Sequence, residues 1–144
     1  MNYISLKKSI KSAIKYFYIK EVLFNFFRNK TRSLNHKGII YNFSTPNMLC
    51  DFRVKSFLAK EPETINWIDS FSKDSIFWDI GANVGMYSVY AAKSKECTVY
   101  SFEPSVFNLE TLARNVFLNN LDSNITIMPF AVNDKIGNGN LNMT

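Results

Sequence analysis

The stretch "FWDIGANVG", residues 77–85, places two of the chain's five glycines four residues apart, directly after an apolar run. Glycine accepts a positive φ, and without a Cβ it lets a ligand approach the main chain. Gly81 closes the run, and Gly85 stands where a helix would start. The N–H groups that a helix start leaves unpaired favour a negative group such as a carboxylate or phosphate. Glu103 lies 22 residues past Gly81, at the end of a second β-rich run, "CTVYSF" (97–102). A carboxylate in that place can accept both hydrogen bonds of a ribose 2′,3′-diol and would repel a 2′-phosphate. Glycine loop and acid together point to an adenosine ligand. The plainer alternative is a tight turn in which Asp79 and Glu103 cap helix N-termini.

The spacing narrows the ligand. A dinucleotide fingerprint reads G-x-G-x-x-G, with a glycine facing the pyrophosphate. Here the order is G-A-N-V-G, with Asn83 where bare backbone would be wanted. This weakens NAD and leaves an NAD-linked oxidoreductase as the lesser alternative. It suits a ligand ending in an amino acid, whose carboxylate the helix start could hold and whose ammonium Asp79 could meet directly or through water. S-adenosylmethionine is such a ligand.

The elements that would position these residues follow from periodicity. "SIFWDI" (75–80) reads as a strand buried on both faces, "NVGMYSVYAAKS" (83–94) as helix, and "CTVYSF" as a second strand. "SVFNLETLARNVFLNN" (105–120) is a helix whose apolar stripe would be Leu109, Leu112, Ala113, Val116 and Phe117. Ser105 stands at its cap and Asn119–Asn120 at its end. "ITIMPFAV" (125–132) is a third strand. The β-α-β-α-β order implies a parallel sheet with right-handed crossovers, half of a doubly wound α/β fold. Ligands in such folds lie outside the carboxyl ends of the strands. Trp67 and Trp78 are expected in the core, and Asn115 and Asn119 on a helix surface or at its cap. Tyr87 and Ser88, beside the loop, could assist binding, with packing an equal reading for Tyr87.

Upstream, residues 1–38 form a basic arm, in which residues 6–32 read as helix. Ile10, Ala13, Ile14 and Phe17 recur at helical spacing, and Lys7, Lys11 and Lys15 line another face. This helix is expected to dock on the domain with a solvated lysine face; the alternative is contact with an anionic membrane surface or an acidic partner. Residues 39–74 supply a lead-in: a short strand over 39–43, a Pro46–Asn47 turn, and a helix opened by Pro62. Residues 75–144 form the ligand-binding unit.

Composition sets the outer bounds. The 144 residues, 47% hydrophobic and 15% aromatic, can bury one core. Residues 1–40 carry nine Lys/Arg against one acid, a net of +8, while residues 41–144 net −3. Basic character confined to one arm argues against nucleic-acid binding by the folded unit. Cys50 and Cys97 fit no metal spacing and are expected as buried reduced thiols. One histidine, His36 in "SLNHKG", argues against a histidine-based triad or metal site. Without a spanning run or a cleavable leader pattern, the expected compartment is the cytoplasm.

"FWDIGANVGMYSVYAA", "VYSFEPSVFNLETLARNVFLNN" and "IMPFAVND", with the upstream "STPN" and "KEPETINWIDSF", resemble the FkbM family of S-adenosylmethionine-dependent methyltransferases over residues 39–144. The resemblance implies a Rossmann-like class I methyltransferase fold. It also implies O-methylation of a hydroxyl, on a glycan, a glycolipid or a smaller acceptor. By position, Asp79, Gly81, Asn83 and Gly85 would hold the methionine end of the cofactor and Glu103 the ribose. Ala131 and Val132 would line the adenine pocket. Members of the family continue into a K-I-D-V-E-G-like strand that this sequence does not contain. An incomplete chain is therefore expected, with a partner-completed or non-catalytic binding module as the alternative. No catalytic base can be assigned. A half sheet should also leave an edge or an apolar face uncovered.

Overall fold

The computed structural model describes residues 3–135, 137, 139 and 140, with the side chains of residues 3–10 left out. In chain order the elements are α1 (Tyr3–Arg28), β1 (Thr31–His36), β2 (Ile39–Ser44), α2 (Met48–Lys60), α3 (Pro62–Asp69), β3 (Ile76–Ile80), α4 (Met86–Lys95), β4 (Thr98–Phe102), α5 (Val106–Leu118) and β5 (Ile125–Met128). β3, β4 and β5 form a parallel sheet in that order, with Ile76 opposite Thr98 and Val99 opposite Ile125. The expected β-α-β-α-β unit is therefore present, with a third strand that stops at Met128.

α4 and α5 pack on the sheet, and β2 packs in turn on α4 and α5. Sandwiched this way, α4 is buried on nearly all sides through Met86, Ser88, Val89, Tyr90, Ala91 and Ala92. Tyr41 of β2 stacks on Tyr90 with ring centroids 5.3 Å apart. Cys50 and Cys97 are free and buried, as expected, and burial pushes both thiols up.

Two elements were not among those expected. β1 pairs with β2 through a two-residue turn, Lys37–Gly38, in which both residues have positive φ. This is the turn geometry that matches strand twist, but Lys at its first position conceals it. α2 begins at Asn47, whose side-chain carbonyl accepts the Cys50 N–H at 2.9 Å. Asn47 thus opens a helix rather than closing a turn.

Several burial expectations are corrected. Residues 11–28 of α1 are exposed throughout, and near its end Arg28 pairs with Glu110 of α5 at 3.1 Å. The docked arm is therefore not observed. β3 alternates instead of being buried on both faces: Phe77 and Asp79 face α4, while Ile76, Trp78 and Ile80 face outward. Trp78 is 60% and Trp67 56% exposed, so neither is core. Trp78 covers Phe102 on the outer face, and Trp67 closes the sheet margin against Phe71 and Phe77.

The α5 stripe is also rotated. Thr111, Leu112, Asn115 and Val116 are buried, Ala113 is exposed and Phe117 is 76% exposed. The helix turns toward the hairpin because its amides satisfy β2 backbone there. Asn115 Oδ1 accepts the Ser44 N–H at 2.7 Å, and Asn119 accepts from Asn42 N–H and donates to its carbonyl at 2.9 and 2.7 Å. Asn115 and Asn119 are therefore buried clamps, although Asn119 does also end the helix.

Candidate functional site

The loop between β3 and α4 is built from left-handed residues. Gly81, Asn83 and Gly85 have φ of +80°, +53° and +74°. Asparagine tolerates this conformation because its short side chain bonds locally. The Gly81 and Ala82 N–H groups both donate to the Phe102 carbonyl at 2.9 Å, which folds the loop over the end of β4. The Gly85 N–H donates to the Ala82 carbonyl at 2.7 Å, and α4 starts.

The two glycines do different work. A Cβ at Gly85 would stand 2.9 Å from Leu112 Cγ, so the close neighbour is α5. A Cβ at Gly81 would meet no atom within 4 Å. The space beside the Gly81 backbone is thus open to a ligand. Among the described residues, the buried Asn83 Oδ1 has no hydrogen-bond partner.

Glu103 is buried beneath this loop. Its Oε2 accepts the Asn83 N–H at 2.9 Å and its Oε1 the Ser105 N–H at 2.7 Å, joining the loop to the start of α5. Asp79 Oδ2 accepts from Ser88 Oγ at 2.5 Å, and Ser88 Oγ lies 2.7 Å from Ser101 Oγ. Burial pushes the Asp79 carboxyl above its ordinary value of 3.8; the Ser88 hydroxyl and N–H oppose this, and the Glu103 charge adds to it. These are helix-start contacts of the kind the plainer alternative describes. They do not exhaust either group, since a carboxylate has about four lone-pair sites.

A cleft of about 200 Å³ opens between this loop and α2. Gly81, Asn83 and Tyr87 form one wall, and Arg53, Phe57 and Lys60 the other. Tyr87 donates its hydroxyl to Glu61 Oε2 at 2.9 Å; burial first, and then the Glu61 carboxylate, hold the phenol well above its ordinary value of 10.0. Tyr87 is thus part of the site's wall, and Ser88 lies beneath it on Asp79.

Asp79 and Glu103 lie beside the loop, bonded to Ser88 and to the Asn83 N–H, and are not among the residues lining the cleft. Ala131 and Val132 are not in the same cavity. They line a second one, of about 590 Å³, with Trp78, Tyr100, Phe102 and Phe130 on the outer sheet face. Arg53 and Lys60 were not singled out from the sequence. The available signal was their spacing with Phe57, four and then three residues apart, which puts all three on one helix face.

No protein-family model matches the chain, and no curated protein sequence matches it. Among solved structures, it is similar to TYW2 of P. horikoshii in complex with MeSAdo, at 19% identity and a TM-score of 0.53 over 76% of this chain and 39% of that one. It is similar to TYW2 of M. jannaschii in complex with AdoMet at 17% identity and a TM-score of 0.50, over 72% of this chain and 44% of that one. It is also similar to a SAM-dependent methyltransferase from Agrobacterium tumefaciens at 14% identity and a TM-score of 0.51, over 70% of this chain and 32% of that one. The chain therefore spans less than half the length of each of these structures. The shared fold is the Rossmann-like α/β fold of S-adenosylmethionine-dependent methyltransferases.

Proposed function

We propose that the chain provides the S-adenosylmethionine seat of a methyltransferase of the FkbM kind, acting on a hydroxyl of a glycan or glycolipid. The observation that carries the reading is the loop, in which the backbone of Gly81 is open beside the cleft and Glu103 holds the next turn of the loop through the Asn83 N–H. Bound there, the sulfonium supplies the methyl group and a good leaving group. Asn83 and Asp79 would accept from the ammonium, Gly81 and Gly85 would let the loop wrap the methionine end, and Glu103 would accept from the ribose hydroxyls. Ala131 and Val132 would flank the adenine, which requires their segment to close toward the loop. The acceptor class rests on the FkbM resemblance alone.

Paired glycine variants test this by calorimetry. Gly81→Ala should cost about 1–2 kcal/mol of stability, the strain of a left-handed alanine, because its Cβ meets no protein atom. It should nevertheless weaken S-adenosylmethionine binding at least tenfold, because the methyl occupies the ligand's place. Gly85→Ala should add overpacking against Leu112, for a total loss of about 2–4 kcal/mol. Unchanged affinity in folded Gly81→Ala, or tighter binding of NAD than of S-adenosylmethionine, would overturn the reading.

A second reading, a binding module completed by another chain, is favoured by the bare outer sheet face of Ile76, Trp78 and Ile80. Methyl transfer by these 144 residues alone would exclude it.

A further inference from the structure

Several basic side chains on the folded unit have a negative partner. Arg32 and Lys55 meet Asp51, Lys37 meets Asp69, Lys73 meets Glu96, and Arg28 and Arg114 meet Glu110. Arg53 differs. It is half-buried on the wall of the cleft, and among the described residues its guanidinium has no hydrogen-bond or ion-pair partner. A guanidinium has five N–H donors in a fixed fork, suited to two oxygens of one carboxylate or phosphate. Withdrawing it from water without such a partner is a cost that a ligand can offset.

Its surroundings do not neutralise it. Lys60, seven residues on, stands on the same face of α2 and lines the same cleft. Phe57 between them is buried against Phe43, Tyr87 and Tyr90, which fixes that face toward the loop. Glu61, the acid at the cleft, already accepts from Tyr87, and its other oxygen lies 4.0 Å from Lys60 Nζ. Asp79 and Glu103 are not among the residues lining the cleft, and they already accept from Ser88 and from backbone N–H groups.

We propose that Arg53, assisted by Lys60, is an anion-binding wall that takes a carboxylate or phosphate group of the molecule seated against the Gly81–Tyr87 loop. This rests on the reading of the cleft as a ligand seat. The anion is either the α-carboxylate of the cofactor or an acidic group on the methyl acceptor, and both present the same two or three oxygens to the fork.

Calorimetric titration of the full chain and of Arg53→Gln and Lys60→Gln decides this with three probes. These are S-adenosylmethionine, 5′-methylthioadenosine, which lacks the amino-acid end, and inorganic phosphate. Loss of a charge-assisted bond predicts a drop of about 10-fold or more for Arg53→Gln, with a smaller drop for Lys60→Gln. If the drop falls on S-adenosylmethionine and spares 5′-methylthioadenosine, the anion is the cofactor's carboxylate. If both adenosine probes bind as in wild type while phosphate binding falls, the anion belongs to the acceptor. Equal behaviour of both variants and wild type toward all three probes overturns the proposal, as does an equal loss of the two adenosine probes. Lys60 is exposed, so Lys60→Gln keeps the test valid if Arg53→Gln unfolds. A wild-type chain that ignores both adenosine probes defeats the cofactor reading alone, and the phosphate titration still decides the anion wall.

Discussion

At the scale of single residues, the site sets buried acids against the cost of burying them. Asp79 faces α4 from the sheet, and its carboxyl is raised by desolvation despite two donations from Ser88. The native state therefore holds this proton to higher pH than the unfolded chain does. Stability falls as pH rises above 3.8, the ordinary value, through the raised native one. Asp79→Asn keeps an acceptor for Ser88 and removes the titration. In urea unfolding between pH 3 and 7, wild type should lose ground to Asp79→Asn as pH rises. A gain by wild type over that interval would mean that the Ser88 donations outweigh desolvation. The same acid gives the cofactor reading its electrostatic sense, because an arriving ammonium would favour the ionised form that burial disfavours.

At the scale of elements, Asn115 shows how the site is supported and why part of it was hidden. Its side chain accepts from Ser44 N–H on β2 and donates at 2.7 Å to the carbonyl of Val84 in the loop. One amide thus fixes the glycine loop to the hairpin across α5. Asn115→Ala should leave both backbone groups buried and unpaired, for a loss of about 2–4 kcal/mol. Chemical denaturation measures this, and a loss below about 1 kcal/mol would mean that water takes the amide's place. The parallel unit and its loop were legible because apolar runs alternate with helical stripes, and because Gly81, Gly85 and Glu103 sit at strand ends where chain order fixes their place. The hairpin was not legible, since its turn is Lys37–Gly38 and β1 carries alternate polar residues. With β2's partners unknown, Asn115 reads as a surface or capping residue and Phe117 as core, the reverse of what the structure shows, while Asn119 caps the helix as read but is also buried. Arg53 stayed hidden for a related reason: its role depends on α2 crossing the loop, a tertiary contact without a local signal.

At the scale of the whole molecule, charge and apolar surface are segregated. The basic arm becomes α1, a helix that reaches away from the folded unit with Phe17, Leu23, Phe24, Phe26 and Phe27 each at least half exposed. Among the described residues no helix is long and apolar enough to cross a membrane. Exposed aromatics beside Lys11, Lys15 and Lys20 suit a helix lying in the headgroup region instead, where an acceptor carried on a lipid would be within reach. Each basic residue near an anionic surface contributes about 1 kcal/mol, so the three lysines together should strengthen attachment about 100-fold. Co-sedimentation with vesicles containing phosphatidylserine should therefore exceed that with neutral phosphatidylcholine vesicles and fall as salt is raised. Replacing the three lysines by glutamine should remove most of the difference. Equal binding to both vesicle types would assign the attachment to the aromatics alone. If neither vesicle is bound and the chain's mass rises with concentration, the cover for α1 is a second copy of the chain, and the membrane reading fails.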